Sequence, residues 1–395
     1  MPRILHLGVG NFFRAHQAWY TQSCSDWTIT GVSFRSPIIR DALRAQNYDY
    51  TLVIRDAKGT RHERITCLTD ILYAPDEPEK VIAAIASAEY DVITLTVTEK
   101  AYHLLPDGRL NLQDPDIRND LHGVPRTVVG WLAQGLKRRT TPVTVLCCDN
   151  LPENGAKLSA AVNALWSAAG TAPTTEISFP SCMVDRITPA TTDTIRNEAQ
   201  DPMAVPTEAF TEWVVEDKFA AARPDWPGVQ WVDDVAPHEM RKLRLLNVAH
   251  SFLAYSGLLK GHTFVHEAIA DDDLRRSAIA LMSEAAETLP DPVRAQAAPY
   301  AEALVERFEN PNLHHALRQI AMDGSQKLPI RILASRNARL PQASPALDHA
   351  IEAWIGFVQA EVASGRRLDD PLADDLILAA QAADPDKALR ILIGA

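Results

Sequence analysis

Short apolar or β-branched runs punctuate the first part of the chain. Strands are predicted at Ile4–Gly8, Thr28–Phe34, Thr51–Arg55, Val92–Val97 and Val143–Cys148. Stretches of helical period lie between some of them, at Glu79–Ser87 and Pro125–Arg139. This alternation predicts a parallel sheet covered on both faces. Two further β-like runs, 175–184 and 229–235, are expected to extend the sheet or form its edge. From Pro237 onward the pattern changes to successive helical segments such as "MRKLRLLNVAHSFLAYSGLL" and "ALDHAIEAWIGFVQAEVAS". The chain therefore reads as an α/β domain over 1–236 followed by a mainly α-helical domain over 237–395.

The first strand runs into a glycine turn, "ILHLGVGNFFRAHQ". In a nucleotide-binding βαβ unit the first glycine makes the turn and the second lets backbone approach a pyrophosphate. The third eases helix–strand packing. Gly8 and Gly10 supply the two parts that touch ligand, and Phe13 holds the third place. The following helix would still offer free N–H groups to a diphosphate. A plain tight turn is the alternative. An acid after the second strand would select the ribose of NAD, and an arginine the phosphate of NADP. The chain reads "GVSFRSP" there, so Arg35 and Ser36 lean mildly to NADP.

A second candidate carries the chemistry. On a helix advancing ~100° per residue, Glu239, Lys242, Asn247 and His250 fall within a sector of about 140°. Leu243, Leu246 and Val248 interleave with them, carrying a polar set into apolar surroundings. A lysine held there loses solvation, and its pKa falls toward a range useful for proton transfer. Asn247 can donate to a developing alkoxide, and His250 can serve an adjacent hydroxyl. The bland alternative is an exposed lysine beside a packing asparagine and histidine. "TVLCCDNLPENG" ends a strand at Asp149-Asn150, where an open α/β sheet presents its crevice. Asn150 there is a second oxyanion donor or a plain turn residue.

Other schemes find less support. No tyrosine is followed four residues later by lysine, which sets aside one common alcohol-oxidising base. His262, His266 and Glu267 lack a third zinc ligand, and His314-His315 has no metal spacing, so no metal site is expected. The formal net charge of −12 argues against nucleic-acid and anionic-membrane partners. No run reaches the ~18 apolar residues of a spanning helix, and no signal-peptide pattern is visible. Five cysteines without framework spacing suit a reducing cytoplasm. Oligomeric state is not legible, and a monomer is compatible with everything above.

Together these segments resemble the polyol-specific long-chain dehydrogenases, the mannitol dehydrogenase family. "HLGVGNFFRAHQ" is similar to its variant glycine turn. "LTVTEKAY", "CCDNLPENG", "MVDRITPAT", "EWVVEDKFAAARPDW", "KLRLLNVAHSFLAY" and "RFENPNLHHALRQIAMDGSQKLPIR" follow in family order. The resemblance implies a Rossmann-like N-terminal domain with a helical C-terminal domain, the active site lying between them. It implies metal-independent, NAD(P)-dependent interconversion of a secondary alcohol and a ketone on an open-chain sugar derivative, NAD being the expected cofactor and NADP possible. Lys242 is then the general base, Asn150 and Asn247 stabilise the oxyanion, His250 orients substrate and Glu239 relays protons. Gly8, Gly10, Asn11, Phe12, Arg14, Arg35, Ser36 and Thr98 are implied at the cofactor, and Asp185, Lys327 and Arg331 at the substrate.

Within the family, "TEKAY", "RPDW" and "IAMDGSQKLP" are most similar to members handling D-mannonate and D-fructuronate. Mannitol 2-dehydrogenase-like, altritol- and arabinitol-oxidising activities are the alternatives. The chain departs from many members in being roughly 100 residues shorter, which leaves substrate reach open. A carboxylate-bearing substrate would want a cation, for which Lys327, Arg331 and Lys100 are candidates. Rivals from other classes are a non-catalytic nucleotide sensor and a metal-dependent sugar lyase or isomerase.

Overall fold

The computed structural model describes residues 2–24 and 26–395. Its strands are β1 (Arg3–Leu7), β2 (Thr28–Ser33), β3 (Tyr50–Asp56), β4 (Gly59–Ile65), β5 (Leu68–Tyr73), β6 (Tyr90–Leu95), β7 (Val143–Cys147), β8 (Ile177–Ser178), β9 (Cys182–Asp185), β10 (Val205–Glu208), β11 (Glu212–Glu216) and β12 (Gln230–Val232). Contacts divide the chain into two units. One comprises the chain through Arg55 together with Thr60–Ala236, and the other Asp56–Gly59 with Pro237–Ala395.

The first unit is built on a six-stranded sheet of order β5-β2-β1-β6-β7-β8, parallel throughout. Counting only its own strands along the chain, that order is 3-2-1-4-5-6, the doubly wound arrangement of dinucleotide-binding folds. Successive residues of each strand enter opposite cores. Leu5, Ile93 and Val145 pack with the helices at Pro78–Ala86, Val128–Leu136 and Asn154–Ala168. Their neighbours Ile4, Val92 and Leu146 pack with Phe13, Tyr20, Trp213 and Trp226. Burial on both faces is why these strands read as unbroken apolar runs.

Two strand assignments differ from expectation. The strand expected at Thr51–Arg55 forms as β3 but lies outside the main sheet, in a separate one of order β10-β3-β4. Its place beside β2 is taken by β5, whose "LTDILY" carries polar Thr69 and Asp70 and so hides its period. Asp70 accepts from the Tyr48 hydroxyl at 2.8 Å, so its carboxylate is satisfied at the sheet's edge. The run 175–184 divides at Pro180, which has no N–H to give a ladder. Its first part is edge strand β8, and its second is β9 in a third sheet, β12-β11-β9, which also takes the run near 229–235.

The second unit is helical around Val248–Leu259, buried on every side from Val248 to Gly257. A helix that is apolar all round must be enclosed, and this one packs against helices Val265–Ala270, Asp272–Ala286, Leu317–Ala321 and Pro345–Ala363. Two π turns interrupt the helices, at Leu243–Asn247 and Pro329–Leu333. No helix among the described residues is long and apolar enough to cross a membrane.

Candidate active site

The glycine turn follows β1, at the point where the strand order reverses between β1 and β6. An open parallel sheet presents its ligand crevice there. Gly8 has φ +102°, and a Cβ on it would lie 2.1 Å from the Thr96 carbonyl oxygen that ends β6. Only glycine fits. Gly10 is different: its φ is −98°, and a Cβ would meet nothing within 4 Å. Nothing in the protein demands glycine at that position. An uncrowded backbone stretch beside the crevice is what a pyrophosphate needs, so these residues fit a dinucleotide.

Phe13, in the third-glycine place, is fully buried and stacks on His6 with ring centroids 3.6 Å apart. Burying such a ring stabilises by about 2–3 kcal/mol, so the position trades close helix–strand approach for core. His6 fastens the turn: Nδ1 lies 2.7 Å from Thr94 Oγ1, and Nε2 lies 3.0 Å from Thr96 Oγ1 and 3.1 Å from the Gly8 carbonyl. Burial pushes its pKa down to about 3, so the ring is neutral, with Nε2–H the tautomer that suits these partners.

Past the turn, Asn11 donates to Thr191 Oγ1 at 3.1 Å and accepts from Arg14 at 2.6 Å. Arg14 is buried, donates to the Met203 carbonyl at 2.6 Å and lies over the Tyr50 ring. It thus ties the turn to the flanking strands. Phe12 stacks on His16. At the end of β2, Arg35 is exposed, while Ser36 accepts from the Ile38 N–H at 3.2 Å in a local turn.

The exits of β6 and β7 are tied together by Asp149, a residue that sequence reasoning passed over as a turn former. Its carboxylate accepts from the Val97 N–H at 2.7 Å and from the Tyr102 hydroxyl. Asn154 in turn donates to the Asp149 carbonyl at 3.0 Å and the Cys182 carbonyl at 2.7 Å. Thr98 and Asn150 are exposed on the two loops so fixed. Burial pushes the Asp149 carboxyl up to about 7, against the pull of its hydrogen bonds. A carboxyl raised by folding adds stability that is complete below about pH 4 and fades as pH rises toward 7. Asp149→Asn keeps an acceptor for Val97 and removes the titration. The melting temperature of the variant relative to wild type is expected to rise between about pH 5 and pH 8 in thermal melts.

The lysine helix departs from the regular period expected of it. Ala236–Lys242 is α-helical, Leu243–Asn247 forms a π turn, and the α-helix resumes at Val248. In an unbroken α-helix Asn247 would stand about 140° around the axis from Lys242. A π turn inserts one residue, so the pair behaves as i, i+4, about 40° apart. Glu239, Lys242, Asn247 and His250 then share a sector of about 80° rather than the 140° expected from regular period. Lys242 is 8% exposed and His250 7%. Burial pushes the His250 imidazole well below its ordinary value, and His315, Arg307, Arg331 and Lys242 act in the same direction. It is a neutral ring.

Arg331, in the other π turn, donates to Ser251 Oγ at 3.0 Å and to the Asn247 carbonyl at 3.5 Å. Lys327 donates to the Ile320 carbonyl at 3.2 Å. Asp185 is buried at the end of β9. His315 meets His250 edge-on, centroids 5.2 Å apart. Neither His315 nor Arg307 was singled out for this site; their only signal was the "HH" pair and the "RFENP" block. Glu267 caps the helix at Val265–Ala270 by accepting from the Thr263 and Phe264 N–H groups.

Fold and turn thus define a dinucleotide-binding α/β protein joined to a helical unit that carries a buried lysine. Residues 2–228 match the Mannitol dehydrogenase Rossmann domain and residues 234–393 the Mannitol dehydrogenase C-terminal domain. The chain belongs to the mannitol dehydrogenase family and is an oxidoreductase. It is 37% identical to the D-mannonate oxidoreductase of Escherichia coli, covering 99% of this chain and 88% of that protein. The mannitol 2-dehydrogenase of Phaeosphaeria nodorum is also 37% identical, over 94% of this chain and 72% of that one. Among solved structures, the mannitol 2-dehydrogenase of Pseudomonas fluorescens, in ternary complex with NAD and D-mannitol, is 32% identical with a TM-score of 0.84. That match covers 100% of this chain and 91% of the other.

Proposed function

We propose that the enzyme interconverts a secondary alcohol of an open-chain hexonate and the corresponding ketone, D-mannonate and D-fructuronate being the favoured pair. The observation that carries the reading is Lys242, buried on a helix whose π turn gathers Glu239, Asn247 and His250 into its sector. Similarity to D-mannonate oxidoreductase along nearly the whole chain supports the sugar acid. Oxidation of a mannitol-like polyol is the second reading, favoured by the likeness to the complex with D-mannitol.

In this reading the Lys242 amine accepts the hydroxyl proton, and Glu239 passes it toward solvent. Asn247 and Asn150 donate N–H groups to the oxygen as negative charge builds on it. His250, held neutral, donates to or accepts from a neighbouring hydroxyl. NAD, held by the glycine turn where Gly10 leaves room for its pyrophosphate, would supply the hydride acceptor. The exposed Arg35, with no acid at the end of β2, suits the extra phosphate of NADP as a second cofactor. Asp185, Lys327 and Arg331 are assigned to substrate.

The test is consumption of NADH and of NADPH with D-fructuronate, D-tagaturonate, D-fructose and D-tagatose, and the reverse reaction with aldonates and hexitols. Turnover of at least one keturonate is expected. No turnover across the panel would refute the proposal.

A further inference from the structure

We infer that Tyr102 and Asp149 form a buried brace that fixes the nicotinamide end of the cofactor crevice, which makes Tyr102 a positioning residue for hydride transfer. The inference rests on the oxidoreductase reading above and adds to it a side chain with no exposed surface.

A dinucleotide on this sheet places its adenosine at the end of β2 and its pyrophosphate at the turn after β1. Its nicotinamide then lies over the exits of β6 and β7. One carboxylate closes the loop that leaves β6. Asp149 accepts from the Val97 N–H at 2.7 Å on one oxygen and from the Tyr102 hydroxyl on the other. The loop from Val97 to Tyr102 is thereby held at both ends, with Thr98 inside it. The Tyr102 hydroxyl also lies 2.7 Å from Sγ of Cys147, the last residue of β7. Just before the loop, Thr96 donates its hydroxyl to the Gly8 carbonyl at 2.9 Å and its N–H to the Leu7 carbonyl at 3.0 Å. A continuous run of hydrogen bonds therefore joins the glycine turn, the Thr98 loop and the strand exit that carries Asn150.

Stability alone does not account for these polar groups. Tyr102 and Cys147 are fully buried in the apolar core on this face of the sheet, with Leu95, Leu110 and Trp131. Asp149 is buried beside them, and its carboxyl is pushed up to about 7 by that burial. Replacing a buried polar pair by apolar groups of the same shape is often neutral or stabilising, so a core serving only stability has no need of this one. What the carboxylate supplies is direction. Two donors from one loop must meet it along its lone pairs, and reaction rates respond to displacements of about 1 Å.

The experiment compares wild type with Tyr102→Phe, Asp149→Asn and the double variant. Each is titrated with reduced cofactor to count the binding-competent molecules, then assayed with the substrate of the panel above that wild type turns over fastest. Tyr102→Phe keeps the ring and removes one oxygen. Its kcat per cofactor-binding molecule is expected to fall roughly 10- to 100-fold, with the cofactor dissociation constant within about threefold of wild type. Asp149→Asn is expected to lose a similar factor, and the double variant no more than about twofold beyond the worse single variant, because both act through one bond. A hydroxyl that only supports the fold lowers the number of binding molecules or their affinity and leaves kcat per molecule intact. A kcat per molecule within about twofold of wild type in Tyr102→Phe, or losses that multiply in the double variant, overturn the brace while the oxidoreductase stands. Wild type inactive on the whole panel overturns the function and the brace with it.

Discussion

Lys242→Met is expected to lower turnover by roughly 10³-fold or more while leaving dinucleotide affinity unchanged. The lysine is 8% exposed, and methionine keeps most of its volume, so the substitution opens no large cavity. Methionine cannot make the polar contacts of the lysine head, so some loss of melting temperature is expected, and retained cofactor affinity shows that the fold is intact. His250 cannot stand in as the base, because burial holds its ring well below the pKa at which it accepts a proton near neutrality. A folded, cofactor-binding, inactive protein in stopped-flow and calorimetric assays is the signature of a catalytic amine. A nucleotide sensor would have no turnover to lose, and a protein whose Lys242 merely packs would keep its rate.

The second large effect separates the two glycines. Gly8→Ala forces a Cβ to 2.1 Å from the Thr96 carbonyl at φ +102°. The collision is with backbone on the neighbouring strand, which has no room to give. A cost on the order of 3 kcal/mol or more is expected, seen as a melting temperature lower by roughly 6 °C or more, together with loss of cofactor binding. Gly10→Ala should behave oppositely. Its backbone suits any residue and its Cβ meets nothing, so the melting temperature of the apoprotein should stay within roughly 1–2 °C of wild type. Dinucleotide affinity should nevertheless fall at least about tenfold, or about 1.4 kcal/mol, because the added methyl occupies the ligand's approach. Equal loss of cofactor binding without a melting shift in both variants would show that Gly8 is not held by Thr96.

Much of the architecture was legible because its causes are local. β1, β2, β6 and β7 are buried on both faces, so their residues are apolar in unbroken runs that any window detects. β5 escaped notice because it lies at the sheet's edge, where Thr69 and Asp70 are tolerated. β3 was recognisable as a strand, but alternation of side chains carries no record of which sheet will take it. The glycine turn was legible for the same reason as the strands. A positive φ beside a neighbouring strand leaves one residue type possible.

Residue types and spacing along the chain were enough to mark Gly8, Gly10, Lys242, Asn247 and His250 as chemically able, and to divide α/β from helical character near residue 236. Which of those side chains share one face of the helix was decided only by the fold. The five-residue step from Lys242 to Asn247 separates the two around a regular helix, and the π turn brings them onto one face. That turn coexists with a guanidinium from Arg331, far along the chain, that reaches the Asn247 carbonyl. The edge-on approach of His315 to His250 is likewise a product of helix packing. Dihedral preference and periodicity are written residue by residue, whereas the charge a buried imidazole feels is a sum over neighbours that only packing assembles.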